Sequence, residues 1–512
     1  MKSRRFVGLT LASGAILVLV LTLWGPWASA QDLQNQSSST NGAPELLPAP
    51  SLPDQQGAPG AAEGSPPADP NTEVLTRGAV HEAFATPVVF NAAPGPVVAQ
   101  KPPEAVDEMP PEQKPAGDHV AWIPGYWTWE ADQTKFIWTS GIWRSVPAGV
   151  EWVPGYWSQV DGGAQFVSGY WRKTAEQEVT YMPQKPPDTL ENGPVGTAPS
   201  ANVTWIPGCW LWRGNHYAWR AGFWAPCNPD WIWIPAHYVW SPSGYLFVEG
   251  HWDYAMQNRG VIFAPVVFRP GLVFGAGYVY TPAVAMDFTA CQGCLFCRPG
   301  CYCYGDYYGP AYVGIGIYPW FEWHHRYGYD PCFAYCSWHY GPAWRERCVV
   351  DFRFRIGHPE ARPPHTYALM VRGGGWGGPA LALHINVMAA RGGGMRFERV
   401  AAVRRAEIHR AVHEQHVANE RRAANERANA GRGGAPFKSA APHSTLQASA
   451  HAAAERNAAA GGHQNSSNAH TNPGNSRSTS QTSRQQQQQR RAPPKPTRGK
   501  APQAGGSSSE RR

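Results

Sequence analysis

After Leu23 the sequence has no second apolar run of membrane length, and no cysteine stands directly behind the first one. The first absence excludes a multi-span helical membrane protein, since each span needs ~20 apolar residues. The second argues against a lipid-anchored form. Catalytic signatures are missing as well. No serine or cysteine nucleophile sits in a recognisable local motif, and the HExxH order of zinc peptidases does not occur. Arg372-Gly-Gly-Gly-Trp-Gly-Gly378 lacks the Lys-Ser/Thr ending of a phosphate loop. Glu322, His324 and His325 lie in an aromatic stretch without a catalytic pattern around them. No catalytic residue and no cofactor follow from these features. From Asn41 to Lys114 the chain is also poor in large apolar side chains and rich in Pro, Ala and Gly, a composition that does not offset the entropy of ordering.

What is present starts with the N-terminus. Lys2, Arg4 and Arg5, the apolar run Leu9–Leu23 and Ala28-Ser29-Ala30 have the layout of a secretory signal, so residues 1–30 are expected to direct export, either cleaved or retained as an anchor. Residues 31–118 read as a disordered, partly polyproline linker. Charge is divided unevenly: from Arg404 to Arg512 there are 18 Lys/Arg against 6 Asp/Glu, a net of 18 − 6 = +12, on a chain of net +7. A mildly acidic body therefore carries a basic tail.

Between residues 119 and 253 one aromatic phrase recurs eight times: an aromatic, two residues, a small residue, one residue, an aromatic. The copies close at Trp127, Trp143, Trp157, Trp171, Trp210, Trp224, Tyr238 and Trp252, spaced 16, 14, 14, 39, 14, 14 and 14 residues apart. Two blocks of four copies result, 119–173 and 203–253, and repetition of this kind organises a fold. Aromatic and β-branched residues separated by turn formers such as Asp161-Gly162-Gly163 read as antiparallel strands. Residues five apart in a strand face opposite ways. A glycine bulge with positive φ at Gly125, Gly141, Gly155, Gly169, Gly208, Gly222 and Gly250 would return both aromatics to one face, with Ala236 the poorest fit. Pro124, Pro154, Pro207 and Pro235 occur only in alternate copies, which suggests that the repeat unit is a hairpin of about 28 residues, used four times.

This motif resembles the WXXGXW and YXWGXW repeats of exported bacterial proteins, often planctomycete. The likeness covers residues 119–253; Phe166, Ala236, Tyr238 and Phe247 depart from it. It implies a secreted or envelope-associated protein and names no reaction.

The expected architecture is an all-β core. An antiparallel meander of aromatic strands with glycine bulges is followed by a Cys/Tyr-rich β extension (254–356), glycine-rich loops (357–395), a solvated helix (396–430) and a basic disordered tail (431–512). In the extension, Cys348–Ile356 alternates like a strand, with Phe352, Phe354 and Ile356 on one face. Most motif rings are expected in the core. Trp127, Trp143, Trp157, Trp171, Trp210, Trp224 and Trp252 are the candidates for ligand contact where rings reach the surface. Cys291, Cys294, Cys297 and Cys301 match a C-x₂-C-x₂-C-x₃-C cluster spacing, but an oxidising compartment favours disulfides. No metal is favoured, and Cys209–Cys227 is the first disulfide pair to test. His409, His413 and His416 share one helical face, geometry that could hold a metal but reads more simply as solvated. Three functions fit: a structural or interaction protein of the envelope, a glycan- or peptide-binding module using Trp and Tyr, and a metal or redox protein using Cys291–Cys303. The basic tail points to anionic polysaccharide, an envelope surface or other envelope proteins rather than to nucleic acid.

Overall fold

The computed structural model describes residues 69–442 apart from 192, 275–276, 328, 342, 374–375, 377, 392–393 and 432–434. The expected signal at 1–30, the first part of the linker and the tail beyond 442 lie outside the described residues. Among the described residues no helix is long and apolar enough to cross a membrane.

The eight motif copies form four hairpins, each built from two copies. In the first, Val120–Ile123 pairs with Ile142–Ser145 at the base, and Tyr126–Glu130 pairs with Lys135–Thr139 at the tip. The second pairs Val150–Val153 with Tyr170–Lys173 and Tyr156–Val160 with Gly163–Val167. The third pairs Val203–Ile206 with Phe223–Pro226 and Cys209–Arg213 with His216–Arg220. The fourth pairs Trp231–Ile234 with His251–Tyr254 and His237–Ser241 with Gly244–Val248. The all-β repeat core is as expected, and the hairpin is the repeat unit. Four-stranded meanders do not form, because among the described residues no strand of one hairpin pairs with a strand of another.

Two further expectations about the motif are corrected. Each copy is two short strands rather than one bulged strand. Both arms break at the same level, with residues 124–125 facing 140–141 between the pairs Ile123↔Ile142 and Tyr126↔Thr139. The counts on the two arms are equal, so this is a symmetric kink and not a two-against-one bulge. Nor do the motif glycines adopt positive φ. They are required by contact: a Cβ on Gly141 would stand 2.4 Å from Cζ2 of Trp122, and one on Gly208 2.4 Å from Cζ2 of Trp219. The opening ring of one copy closes over the glycine of its partner, where no side chain fits.

Residues 69–118 are not a free spacer. Thr72–Val74 pairs with Val266–Phe268, Gly78–Ala79 with Cys301–Tyr304, Val97–Val98 with the second hairpin's tip, and Gln113–Pro115 with Phe397–Arg399. Val80 and Phe84 are buried in the main core. Pro-rich chain is extended and short of donors, which suits it to single edge strands laid against hairpins.

The Cys/Tyr-rich section forms the main apolar core around Cys297, Tyr302, Tyr304, Trp320 and Trp323. It is not β throughout. Helices run Trp320–Tyr327, Pro331–Tyr340 and Ala343–Gly357, and the last contains the expected strand Cys348–Ile356. Cys348, Phe352 and Ile356 recur every four residues and pack on the main core, a helical stripe that the alternating charges disguise. The stretch 357–395 is not all loop either: Ala382–His384 extends the first hairpin's sheet through Val284–Met286, and Ile385–Arg391 is helical.

The long helix, Ala402–Ala428, is docked rather than solvated. Ile408, Ala411, Val412, Gln415, Arg422, Ala423 and Glu426 are buried along it. The Glu426 carboxylate accepts from Tyr156 Oη at 2.5 Å, Tyr181 Oη at 2.9 Å and Arg422 Nε at 2.8 Å, tying the helix to the second hairpin. A second buried anchor joins the first and fourth hairpins: Asp253 accepts from Arg144 Nη2 at 2.6 Å and forms an ion pair with Arg259 at 3.1 Å. Burial works to raise this carboxyl, yet the two guanidinium groups hold it below the usual range.

Candidate interaction surface

Every hairpin stacks two aromatic pairs, one on each side of its kink. Trp122 faces Trp143 and Trp127 faces Trp138, with ring centroids 5.2 and 5.4 Å apart and edge-to-face. Trp205 faces Trp224 and Trp210 faces Trp219 in the third hairpin, both at 5.2 Å. The fourth pairs Trp233 with Trp252 at 5.3 Å and Tyr238 with Phe247 at 5.2 Å. Edge-to-face pairs of this kind contribute about 0.5–1.5 kcal/mol beyond their buried area.

At the kinks the backbone N–H groups of facing glycines converge, and in three hairpins a glutamate from outside the hairpin accepts them. Glu108 takes Gly125 N at 2.8 Å, Gly141 N at 3.0 Å and Trp138 Nε1 at 3.1 Å. Glu82 takes Gly169 N at 3.1 Å, and the Gly155 backbone also bonds it. Glu191 takes Gly208 N at 3.0 Å and Gly222 N at 2.7 Å. In the fourth hairpin Gly250 stands near Ala236 N and Trp233, with no carboxylate beside it among the described residues. Burial pushes Glu108 up to about 7 and Glu82 up to about 8, against the N–H bonds that favour the ionised forms.

The WXXGXW repeat family model, two copies long, matches residues 134–157, 148–172, 202–225 and 228–252. The chain carries WXXGXW repeats. Comparison with curated proteins and with solved structures gives no match. The matched segment 134–157 runs from the first hairpin into the second, so the family unit records the motif period rather than the hairpin.

The glutamate clasps were not anticipated, although a signal for two of them is present. Glu108 and Glu191 each stand 17 residues before the first glycine of their WXXGXW block (125 − 108 and 208 − 191). The segments around them repeat as well: Trp127 Nε1 donates to the Glu104 carbonyl and Trp210 Nε1 to the Asp188 carbonyl. Glu82, far upstream of its hairpin, carries no comparable spacing.

The seven candidate contact tryptophans divide. Trp127, Trp143 and Trp171 are buried and belong to the core, which corrects their assignment. Trp157, Trp210, Trp224 and Trp252 are half-buried. The second WXXGXW block also half-exposes Trp212, Tyr217 and Trp219, and leaves Phe223 51% exposed. Beside it lies a cleft of about 320 Å³ lined by Arg172, Lys173, Trp212, Arg213 and Phe247 among others. Glu176, Glu178 and Glu249 line it as well, so aromatic faces share this surface with charges of both signs.

The cysteines do not follow their expected arrangement. Cys209 is in register with Arg220 at the kink, whereas Cys227 lies past the hairpin's base, its N–H donated to the Asn202 carbonyl. The two therefore do not face each other. No disulfide joins any of the ten cysteines in this structure. Among the described residues no three His, Cys, Asp or Glu side chains meet in a metal-holding group, so Cys291, Cys294, Cys297 and Cys301 do not converge. Cys301 and Cys303 are neighbours, with sulfurs 3.9 Å apart. Their shared hydrogen bond, and then Arg298, bring the Cys301 thiol down to about 7 in spite of burial. His409 contacts Asp107, and His324 stacks on Phe333 at 4.8 Å.

Proposed function

We propose that this is an exported, non-catalytic β-repeat protein of the cell envelope or extracellular space that acts by contact, with its second WXXGXW block as the contact face. The observation that carries this reading is the unequal burial of one motif. Six of the first block's eight motif rings are buried, Trp157 and Phe166 being half open. In the second only Trp205 and Tyr238 are buried, and the other six are half open, beside a cleft that carries charged side chains on its wall. Export rests on the signal-like N-terminus, and the basic tail adds an electrostatic hold on anionic polymer that salt would weaken.

The cleft favours a second reading, a glycan- or peptide-binding module. Trp212 and Phe247 offer flat apolar faces and Arg213 an exposed guanidinium, while Arg172 and Lys173 on the same wall are held by Glu151 and Glu249, a mixture of apolar and polar surface of the kind such ligands use. Retention of the purified chain on envelope material tests the first reading. Wild type is expected to bind in a salt-sensitive way. A Trp212→Ala, Trp224→Ala double variant with unchanged far-UV circular dichroism should elute early, and removal of 431–512 should abolish the salt dependence. Undiminished retention of the double variant would exclude the second block as the contact face. A tryptophan-fluorescence titration with neutral and acidic oligosaccharides separates the second reading from the first.

A further inference from the structure

The four hairpin tips differ in what lies on the outer edge of their second strand. Val266–Phe268 pairs with Lys135–Thr139 on the first tip, through Val266↔Trp138. Val97–Val98 pairs with Gly163–Val167 on the second, through Val98↔Ala164 and Val97↔Gln165. Glu178–Met182 pairs with Gly244–Val248 on the fourth, through Tyr181↔Leu246 and Met182↔Tyr245. All three added strands are antiparallel. On the third tip, His216–Arg220 pairs only with Cys209–Arg213, and among the described residues nothing pairs with its outer edge.

An open edge presents unpaired N–H and C=O groups in a row, which proteins ordinarily blunt with charge, proline or a bulge. His216–Arg220 carries His216 and Arg220 at its ends and no charged side chain between them; Tyr217, Ala218 and Trp219 are half-buried. The strand has neither proline nor bulge, and its five residues pair one to one with Cys209–Arg213. The edge is therefore as competent as the three that are filled.

The filled edges show what an occupant looks like. Two are the sequence Pro-Val-Val, at Pro96-Val97-Val98 and Pro265-Val266-Val267, and the third, Tyr181-Met182, runs into Pro183. Proline bounds each added strand, so each contributes only a few ladder bonds and ends without a free donor.

We propose that the outer edge of His216–Arg220 is a β-augmentation site for a partner protein, taking an extended apolar segment of the Pro-Val-Val type in antiparallel register. Main-chain hydrogen bonds supply affinity in this mode and alternate side chains supply specificity. The half-buried rings of Tyr217 and Trp219 would flank the incoming strand. The inference deepens the contact reading by naming one edge and one class of partner.

Hydrogen exchange read by mass spectrometry on the full chain tests it, with the acetylated, amidated peptide Pro-Val-Val-Phe-Arg, copied from residues 265–269, as probe. Peptide saturating about nine-tenths of the protein should slow exchange within 216–220 by roughly tenfold, since exchange tracks the open population. The same peptide with both valine nitrogens methylated should leave exchange unchanged. Equal protection by the methylated peptide, or none at 216–220 with either, overturns the proposal. Protection of 216–220 in the protein alone, together with sedimentation as a dimer, would assign the edge to a second copy and overturn the partner assignment. If the edge fails while the Trp212→Ala, Trp224→Ala variant still loses retention, the contact reading stands and only the edge is wrong.

Discussion

In the first repeat block Trp122, Trp138 and Trp143 are at most 2% exposed, whereas in the second Trp219, Trp224, Trp233 and Trp252 are all half-buried. Motif, kink and edge-to-face pair are the same in both. What differs is the covering. The first block receives strands from residues 72–98 and 260–286 and packs Trp122 and Trp143 against Ile408, Ala411 and Val412 of the long helix. In the second block the fourth hairpin receives Glu178–Met182 and meets the helix through Ser243 and Trp240, while the third hairpin receives no added strand among the described residues. The motif therefore encodes a hairpin, and the flanking chain decides whether its rings are core or surface. The sharpest way to break this comparison is to truncate one ring in each block. Trp143→Ala should cost about 3–5 kcal/mol, as buried aromatic truncations do, while the half-open Trp224→Ala should cost roughly 1–2 kcal/mol on the same grounds. Urea midpoints followed by circular dichroism would read both, and equal losses would mean that the second block is covered in solution.

The clasps extend the comparison to polar groups. Glu108 is 1% exposed and Glu191 half-buried. Glu108→Ala strands two glycine N–H groups and the Trp138 indole N–H, at about 1–3 kcal/mol for a buried unsatisfied donor. Water can replace the carboxylate in Glu191→Ala, for which a loss below about 1 kcal/mol is expected. A loss at Glu191 matching that at Glu108 would show that the third clasp is as dry as the first.

The first block's two clasp glutamates also give its stability an unusual pH dependence. With Glu82 at about 8 and Glu108 at about 7 in the fold, against ordinary values near 4.3 in the unfolded chain, the folded state binds more protons between these limits. These two carboxyls make stability rise as pH falls from 8 to 6.5 by on the order of 2 kcal/mol, and the Cys301 thiol, lowered to about 7, offsets roughly 1 kcal/mol of that over the same window. Below that, His81 and His251, both lowered to about 4 by burial, oppose the trend: their contribution is complete above about 6.5 and is lost as pH falls through 4. Wild type should melt higher at pH 6.5 than at pH 8, and in Glu82→Gln, Glu108→Gln that gap should vanish or reverse, since the Cys301 thiol then acts alone. The same gap persisting in the double variant would place the titration elsewhere.

Much of this was legible from the chain alone. The hairpin unit follows from the alternation of Pro124, Pro154, Pro207 and Pro235, and the antiparallel pairing from short Gly- and Asn-containing turns. The φ of the motif glycines was not legible, because a contact requirement and a dihedral requirement select the same residue. The order of residues 69–118 was hidden as well: composition reports the lack of a private core, while Phe84 and Val80 use a core built by residues some 200 positions later. Cys348–Ile356 misled for a third reason, since its apolar residues fit both a two-residue and a four-residue period, and their partners decide between them. Cys348, Phe352 and Ile356 pack on the main core, Phe352 against Phe296, Tyr308 and Phe321, whereas Phe354 stacks on His358 instead. The exposure of the second block depends on what packs against it, which no motif spacing records.

The smallest expected effect asks why glycine is kept. Gly155 and Ala236 occupy the same place in the second and fourth hairpins, and in both the partner copy opens on phenylalanine, Phe166 and Phe247, which pair with the second residue along, Trp157 and Tyr238. A Cβ on Gly155 would meet Glu82 Oε1, Phe166 Cζ and the Val167 carbonyl, all at 2.7 Å. Ala236 carries that Cβ, is 3% exposed, and belongs to the hairpin without a clasp carboxylate among the described residues. If the carboxylate dictates glycine, Ala236→Gly gains no contact and loses about 0.5–1 kcal/mol through the freer unfolded chain. Gly155→Ala should instead cost about 1–3 kcal/mol by overpacking, and much less in a Glu82→Ala background. A full cost for Gly155→Ala in that background would assign the glycine to the ring and the carbonyl, and the clasp would then be a consequence of the kink rather than its cause.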